Sequence, residues 1–138
     1  MFKVFVFIGF LVTVIYSVPS TADMTDDLNN VQEMSSLLIE GKLEEAAEIF
    51  LRIEDSSMKE IAAVSLQGQF LMRGETAKGE SLLEYILKED IRQVSYQSLA
   101  TQFMLTEKDC IKAKKYIDLL LDSQIRELTQ MSYDMACP

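Results

Sequence analysis

No histidine and no tryptophan occur in the chain, and prolines, cysteines and glycines are few: two, two and five. Without histidine the protein lacks the side chain that most often transfers protons in catalysis and that most often binds metals. Its serines therefore have no histidine to activate them as nucleophiles. We expect that the protein is not an enzyme, that it has no catalytic residue and that it needs no cofactor.

Ligand-binding motifs are missing as well. Three aspartates, Asp23, Asp26 and Asp27, lie close together but lack the spaced oxygen ligands and the turn glycine of a calcium loop. The chain has no glycine-rich phosphate loop and no basic patch with interleaved aromatic residues. We therefore predict no metal site and no nucleotide or nucleic-acid site.

The first 22 residues have the layout of a secretory signal peptide. Lys3 is followed by an apolar run from Val4 to Val18, and small residues, Ser20 and Ala22, precede the aspartates. This run is shorter than the roughly 20 residues that cross a bilayer comfortably. We predict a signal peptide over residues 1–22, a domain over residues 23–138 and a periplasmic or secreted protein. An uncleaved N-terminal anchor and a buried core helix are the alternatives.

Acidic residues outnumber basic ones by 22 to 13. Removal of residues 1–22 would remove one lysine and no acid, leaving 12 basic residues and a net charge of about −10. Such a surface repels nucleic acids and anionic membranes. An electrostatic partner would be basic, unless the charge serves only solubility.

Between Pro19 and Pro138 no proline interrupts the chain, and apolar residues recur there at helical spacing of three and four. Short breaks separate seven such segments, which predicts an all-α fold built from antiparallel hairpins.

A weak repeat accompanies this pattern, and we call the separation between successive copies the period. The stretch GKLEEAAEIFLRI from Gly41 aligns with GETAKGESLLEYI from Gly74 and with KDCIKAKKYIDLL from Lys108. Each copy places a small residue, then a bulky apolar residue four positions on, then another after three more. These residues are Ala46, Phe50 and Ile53 in the first copy, Gly79, Leu83 and Ile86 in the second, and Ala113, Ile117 and Leu120 in the third. The small residue allows two helices to pack closely.

On these residues the chain resembles the tetratricopeptide family, whose repeats are helix-turn-helix units of about 34 residues. The resemblance implies a short right-handed α-solenoid of about three repeats with a C-terminal capping helix. In the first helix of each unit, Asn30, Ala63 and Gln97 stand where the family has a large aromatic residue, and Met34, Gln67 and Thr101 replace its glycine. A plain helical bundle is the alternative fold.

The repeat arrangement also bears on the two cysteines. Cys110 starts the sixth predicted helix and Cys137 ends the seventh, so antiparallel packing of these helices would bring the sulfurs together. A disulfide would contribute on the order of 3 kcal/mol to stability. Two buried free thiols are the alternative.

In this family the first helix of each unit lines a concave groove that binds a segment of another protein. The corresponding positions are Leu28, Val31, Ser35, Leu38 and Ile39, then Ile61, Val64, Gly68, Leu71 and Met72, then Ser95, Ser98, Gln102, Leu105 and Thr106. None is a lysine, arginine or asparagine, so the groove would suit an apolar or amphipathic segment. Some of these residues would be ordinary core, Leu38 and Leu71 above all.

The resulting prediction is an exported protein-binding module that acts as an adaptor, an assembly factor or a chaperone-like scaffold. A second copy of the chain could cover the groove as well as a foreign protein. The alternatives are a small acidic inhibitor or immunity-type protein that occludes a basic toxin or enzyme, and a carrier of a lipid or small ligand if the helices enclose a cavity.

Overall fold

A computed structural model describes residues 21–138, with side-chain surroundings from Asp23 onward. Residues 1–20 of the expected signal peptide lie outside the described residues. The described part of the chain is helical without any strand, which confirms the all-α prediction. Its seven helices are α1 (Thr21–Ile39), α2 (Leu43–Phe50), α3 (Ser56–Met72), α4 (Thr76–Ser81, followed by a 3-10 turn, Leu82–Tyr85), α5 (Glu89–Gln102, followed by a π-helical turn, Phe103–Glu107), α6 (Cys110–Asp118) and α7 (Ser123–Ala136).

The helices pair in order along the chain. Helix α1 contacts α2, α3 contacts α4, and α5 contacts α6. A short connection joins the two helices of each pair. The odd-numbered helices also contact one another in sequence, α1 with α3, α3 with α5, and α5 with α7. None of the helices in residues 21–138 has the length and apolar content needed to span a membrane.

Three residues with left-handed backbone angles follow α1, α3 and the π-helical turn after α5. They are Gly41 (φ 75°), Gly74 (φ 76°) and Lys108 (φ 57°). After Gly74 the N–H of Glu75 donates to the carbonyl of Phe70, five residues back, which closes the helix end. Lys108 adopts this conformation although it has a side chain, which normally disfavours it.

The separation from Gly74 to Lys108 is one residue longer than the separation from Gly41 to Gly74, and the π-helical turn accounts for this difference. The N–H of Asp109 donates to the carbonyl of Phe103, six residues back, where the equivalent bond at Glu75 spans five. A π-helical turn holds one more residue than an α-helical turn. The period between α3 and α5 is therefore one residue longer after this turn than before it.

The apolar interior forms two clusters. The first lies among α1 to α4 around Phe50, Leu66 and Ile86. The second lies among α5 to α7 around Leu99 and Ile117 and also includes Leu71 of α3. The small residues of the repeat are buried where helices approach. Ala46 and Ala113 are fully buried, and Gly79 is buried against Leu71.

The two cysteines form the predicted disulfide. The Sγ atoms of Cys110 and Cys137 are bonded, and their Cα atoms lie 5.9 Å apart. The bond joins the start of α6 to the residue after α7, as expected for antiparallel neighbours.

Candidate protein-binding face

Large apolar side chains are exposed at regular intervals on the odd-numbered helices. We call Leu28, Ile61, Val94 and Leu128 the first apolar row; each comes from a different odd-numbered helix, and they are 49% to 64% exposed. We call Ile39, Met72 and Leu105 the second apolar row; they are 54% to 88% exposed. Within each row every member follows the previous one by one period. The two rows are separated on each of α1, α3 and α5 by three helical turns, or about 16 Å.

Small or weakly polar residues lie between the rows. Ser35, Gly68 and Thr101 occupy equivalent places on α1, α3 and α5, and all three are exposed. The Ser35 and Thr101 hydroxyls donate to carbonyls of their own helices, those of Val31 and Gln97. A Cβ at Gly68 would meet nothing within 4 Å. The strip between the rows is thus free of both bulk and charge at these positions.

Two open clefts run between the odd-numbered helices. The first cleft, between α3 and α5, has a volume of about 390 Å³ and is lined by Gly68, Leu71, Met72, Gln97, Ser98, Thr101 and Gln102. The second cleft, between α5 and α7, has a volume of about 180 Å³ and is lined by Gln97, Thr101, Met104, Leu105, Leu128, Thr129 and Ser132. Because Gln97 and Thr101 line both clefts, the two adjoin across α5.

The structure thus brings together five of the predicted groove residues, which line the first cleft: Gly68, Leu71, Met72, Ser98 and Gln102. The remaining predicted groove residues differ in solvent exposure. Val31, Leu38 and Val64 are half-buried against the first core cluster, whereas Thr106 is exposed in the π-helical turn.

Leu71 belongs to the interior as much as to the cleft, since it is 8% exposed and packs in the second core cluster. Its replacement by a charged residue would therefore disturb the core as well as the cleft.

The prediction for Ser95 is wrong. Ser95 is only 3% exposed and is equivalent to the buried Ala62, one period earlier. The predicted alignment used the longer spacing throughout the third copy, although this spacing holds only after the π-helical turn. With the shorter spacing that holds before the π-helical turn, Val94 is equivalent to Ile61 and takes the exposed place. The separation between Ile61 and Val94 was the feature of the sequence from which the exposure of Val94 could have been predicted.

The same correction changes the comparison with the repeat pattern. Tyr96, not Gln97, is equivalent to Ala63, so the third copy does have a large aromatic residue early in its first helix. Ala100, not Thr101, is equivalent to Gln67, so it has a small residue mid-way along that helix.

Ionisable groups with displaced pKa values lie elsewhere in the described part of the chain. Burial raises the pKa of Glu80, but hydrogen bonds from Tyr116 and Lys112 outweigh this effect and lower it. Burial and the neighbouring Glu80 raise the pKa of Tyr116. None of these three residues lines either cleft. Within residues 23–138 no group of three or more acidic or cysteine side chains is placed to hold a metal ion.

A third depression, of about 240 Å³, lies among α2, α3 and α4 and has the charged residues Glu44, Lys78 and Glu84 in its lining. The Lys78 ammonium pairs with Glu44, which raises the pKa of Lys78. This site is mixed in charge and contains no member of either apolar row.

Comparison of the chain with protein-family models, with curated proteins and with solved structures finds no match.

Proposed function

We propose that this chain is an exported protein-binding module whose odd-numbered helices grip an amphipathic helical segment of another protein. In this proposal α1 to α6 are three helix-turn-helix repeats of a short right-handed α-solenoid similar to the tetratricopeptide repeat, and α7 is its cap. The sequential contacts of the odd-numbered helices and the recurrence of turns at Gly41, Gly74 and Lys108 support this arrangement.

The observation that carries the proposal is the pair of exposed apolar rows with a strip of small residues between them. The rows are separated by about 16 Å along each helix, which is more than the 10–12 Å diameter of one α-helix, so a helix fits between them. A helix placed there would bury members of both rows with its own apolar side chains. Regular exposure of so many large apolar residues on one set of helices favours a binding surface over a solvated one.

Export is proposed from two further observations. The apolar N-terminal segment has the layout of a signal peptide, and the Cys110–Cys137 disulfide is of a kind that persists in oxidising compartments. We propose an adaptor, assembly factor or chaperone-like scaffold that works by equilibrium binding.

The test uses two dye-labelled peptides, each long enough for about five helical turns. One has leucines at helical spacing and an uncharged polar face, and the other has the same composition in scrambled order. Fluorescence anisotropy measures their affinity for the wild-type protein and for single variants. We expect the amphipathic peptide alone to bind, and we expect Ile61→Asp and Met72→Asp to weaken its binding at least tenfold.

Matched controls are available on the even-numbered side of the fold. Ile111 in α6 and Leu51 after α2 are 86% and 63% exposed, but neither belongs to a row. Ile111→Asp and Leu51→Asp should therefore leave binding unchanged. Equal losses in all four variants, or equal binding of the two peptides, would contradict the groove. Binding that required a basic peptide and weakened steeply with salt would instead support the acidic-inhibitor function.

A further inference from the structure

Helix α7 is less deeply packed than the other long helices. Among its 14 residues only Thr129 is buried, whereas Leu128, Met131 and Met135 are more than half exposed. Its packing against the second core cluster comes from Tyr133 and Ala136, which are half-buried near its C-terminal end. The N-terminal half of α7 thus contributes little apolar burial that would hold it in place.

Few specific bonds add to this packing. The Lys114 ammonium on α6 donates to Gln130 Oε1 at 2.9 Å, and the N–H of Leu121, just before α7, donates to Gln93 Oε1 at 2.8 Å. The covalent link is the disulfide, which ties the residue after α7 to the first residue of α6. The apolar contacts of α7 and its disulfide therefore lie at the same end of the helix.

The position of α7 decides whether the binding face is complete. Leu128, Thr129 and Ser132 form one wall of the second cleft, opposite Met104 and Leu105. Leu128 is also the last member of the first apolar row. If α7 leaves its place, this wall is lost, whereas the lining of the first cleft comes entirely from α3 and α5.

We propose that the Cys110–Cys137 disulfide is a redox latch that holds α7 against α5 and so completes the second cleft. A small dithiol reductant opens it: its thiolate attacks one sulfur and breaks the Sγ–Sγ bond, and its second thiol closes the reductant into a disulfide. Two electrons and two protons pass to the protein, and both cysteines become thiols. Both cysteines are partly exposed, so a reductant can reach them.

The redox latch makes binding depend on the redox state of the compartment. The effect on binding rests on the proposed function, whereas the release of α7 does not. In a reducing compartment α7 detaches and the second cleft is open on one side. In an oxidising compartment a disulfide oxidant accepts two electrons and two protons from the cysteine thiols and becomes a dithiol, and the Sγ–Sγ bond forms. The binding face is then complete, so full affinity appears only after the disulfide has formed.

Hydrogen-exchange mass spectrometry tests the mechanics without any partner. The protein is purified without reductant and compared with the same sample after treatment with dithiothreitol, and with Cys110→Ser/Cys137→Ser with and without dithiothreitol. We expect amides of residues 123–136 to exchange at least tenfold faster after reduction, with α1 to α4 unchanged. The double variant should match the reduced protein under both conditions. Unchanged exchange in α7, or equal acceleration in all helices, would overturn the latch.

Binding of the amphipathic peptide then distinguishes a failure of the redox latch from a failure of the proposed function. We expect reduction to weaken its binding about tenfold while the loss caused by Met72→Asp persists, because the first cleft is intact. Equal affinity in both redox states, with α7 detached, would overturn the regulatory inference alone. Absence of binding in both states, with α7 released on reduction, would overturn the proposed function and leave the latch standing.

Discussion

Asp27 and Glu60, one period apart, each accept two backbone N–H groups from the turn before the next odd-numbered helix. The carboxylate of Asp27 accepts the N–H groups of Glu54 and Asp55 at 2.9 and 2.7 Å. The carboxylate of Glu60 accepts those of Leu87 and Lys88 at 2.6 and 2.8 Å. Each acid lies on one odd-numbered helix and fixes the turn that leads into the next one.

Gln93, one period after Glu60, continues the series on α5. Its Oε1 accepts the N–H of Leu121 at 2.8 Å, and its Nε2 donates to the carbonyl of Leu119 at 3.2 Å. Three equivalent side chains thus fix the spacing between successive odd-numbered helices, which is the spacing on which the apolar rows depend.

Replacement of Glu60 by alanine is the direct test of this bond. Glu60→Ala leaves two backbone N–H groups without their acceptor, and we expect the unfolding temperature to fall by about 5 °C. Circular dichroism in the far ultraviolet measures the transition. Glu60→Gln keeps an acceptor oxygen, as Gln93 does naturally, and should lose less than half as much. Equal losses in the two variants would show that the carbonyl oxygen cannot replace the carboxylate.

The same carboxylate predicts how stability depends on pH. The pKa of Glu60 is lowered, chiefly because the N–H of Lys88 donates to the ionised form. A lowered folded-state pKa adds stability above the ordinary glutamate pKa of about 4.3, and this stability is lost as the pH falls through the folded value.

Thermal unfolding should therefore change little between about pH 7 and pH 5 and shift to lower temperature below about pH 4.3. The shift should be smaller in Glu60→Gln, which has no carboxyl group to protonate at this position. An acid shift of the same size in both proteins would assign the effect to other carboxylates, such as Glu80, whose pKa is also lowered.

The sequence predicted the helices better than it predicted which residues are exposed on them. Helical spacing predicted seven helical segments, and residues 21–138 contain seven helices, with left-handed backbone at Gly41 and Gly74 where α1 and α3 end. These features depend on neighbouring residues, so local patterns determine them. The cysteine pairing followed from the order of the last two helices.

The register of the third copy could not be predicted in the same way. It depends on the π-helical turn at Phe103–Glu107, and no residue in that turn marks an inserted position. Use of the longer spacing throughout this copy therefore placed the buried Ser95 on the surface and missed Val94. The capping side chains at Asp27 and Glu60 were also missed, because surface acids are common and only the structure shows their backbone partners.

Lys108 offers a stabilising substitution. It adopts a left-handed conformation that costs a non-glycine residue about 1 kcal/mol, so Lys108→Gly should raise the free energy of unfolding by about that amount. Gly74→Ala is the matched reverse change, because Gly74 has the same conformation and open space around a Cβ. It should lower the free energy of unfolding by about 1 kcal/mol. Urea denaturation measures both, and a destabilised Lys108→Gly would contradict the equivalence of these two helix ends.

Replacement of Gly79 by alanine tests the close packing of α4 against α3 that the repeat predicts. A Cβ at Gly79 would lie 2.8 Å from Leu71 Cδ2 and 3.1 Å from Leu71 Cγ, so alanine crowds α4 against α3. Such crowding costs about 1–3 kcal/mol, against a gain of about 1 kcal/mol in helix propensity. We expect Gly79→Ala to destabilise the wild-type protein by about 1 kcal/mol overall.

The sign should reverse when the neighbour is made small. In a Leu71→Ala background the added Cβ has room, so the substitution Gly79→Ala should stabilise the protein by about 1 kcal/mol through helix propensity alone. A double-mutant cycle in urea measures the coupling between the two sites. A coupling energy near zero would mean that the Leu71 side chain turns aside into the first cleft, and Gly79 would then not be required for the close approach of α3 and α4.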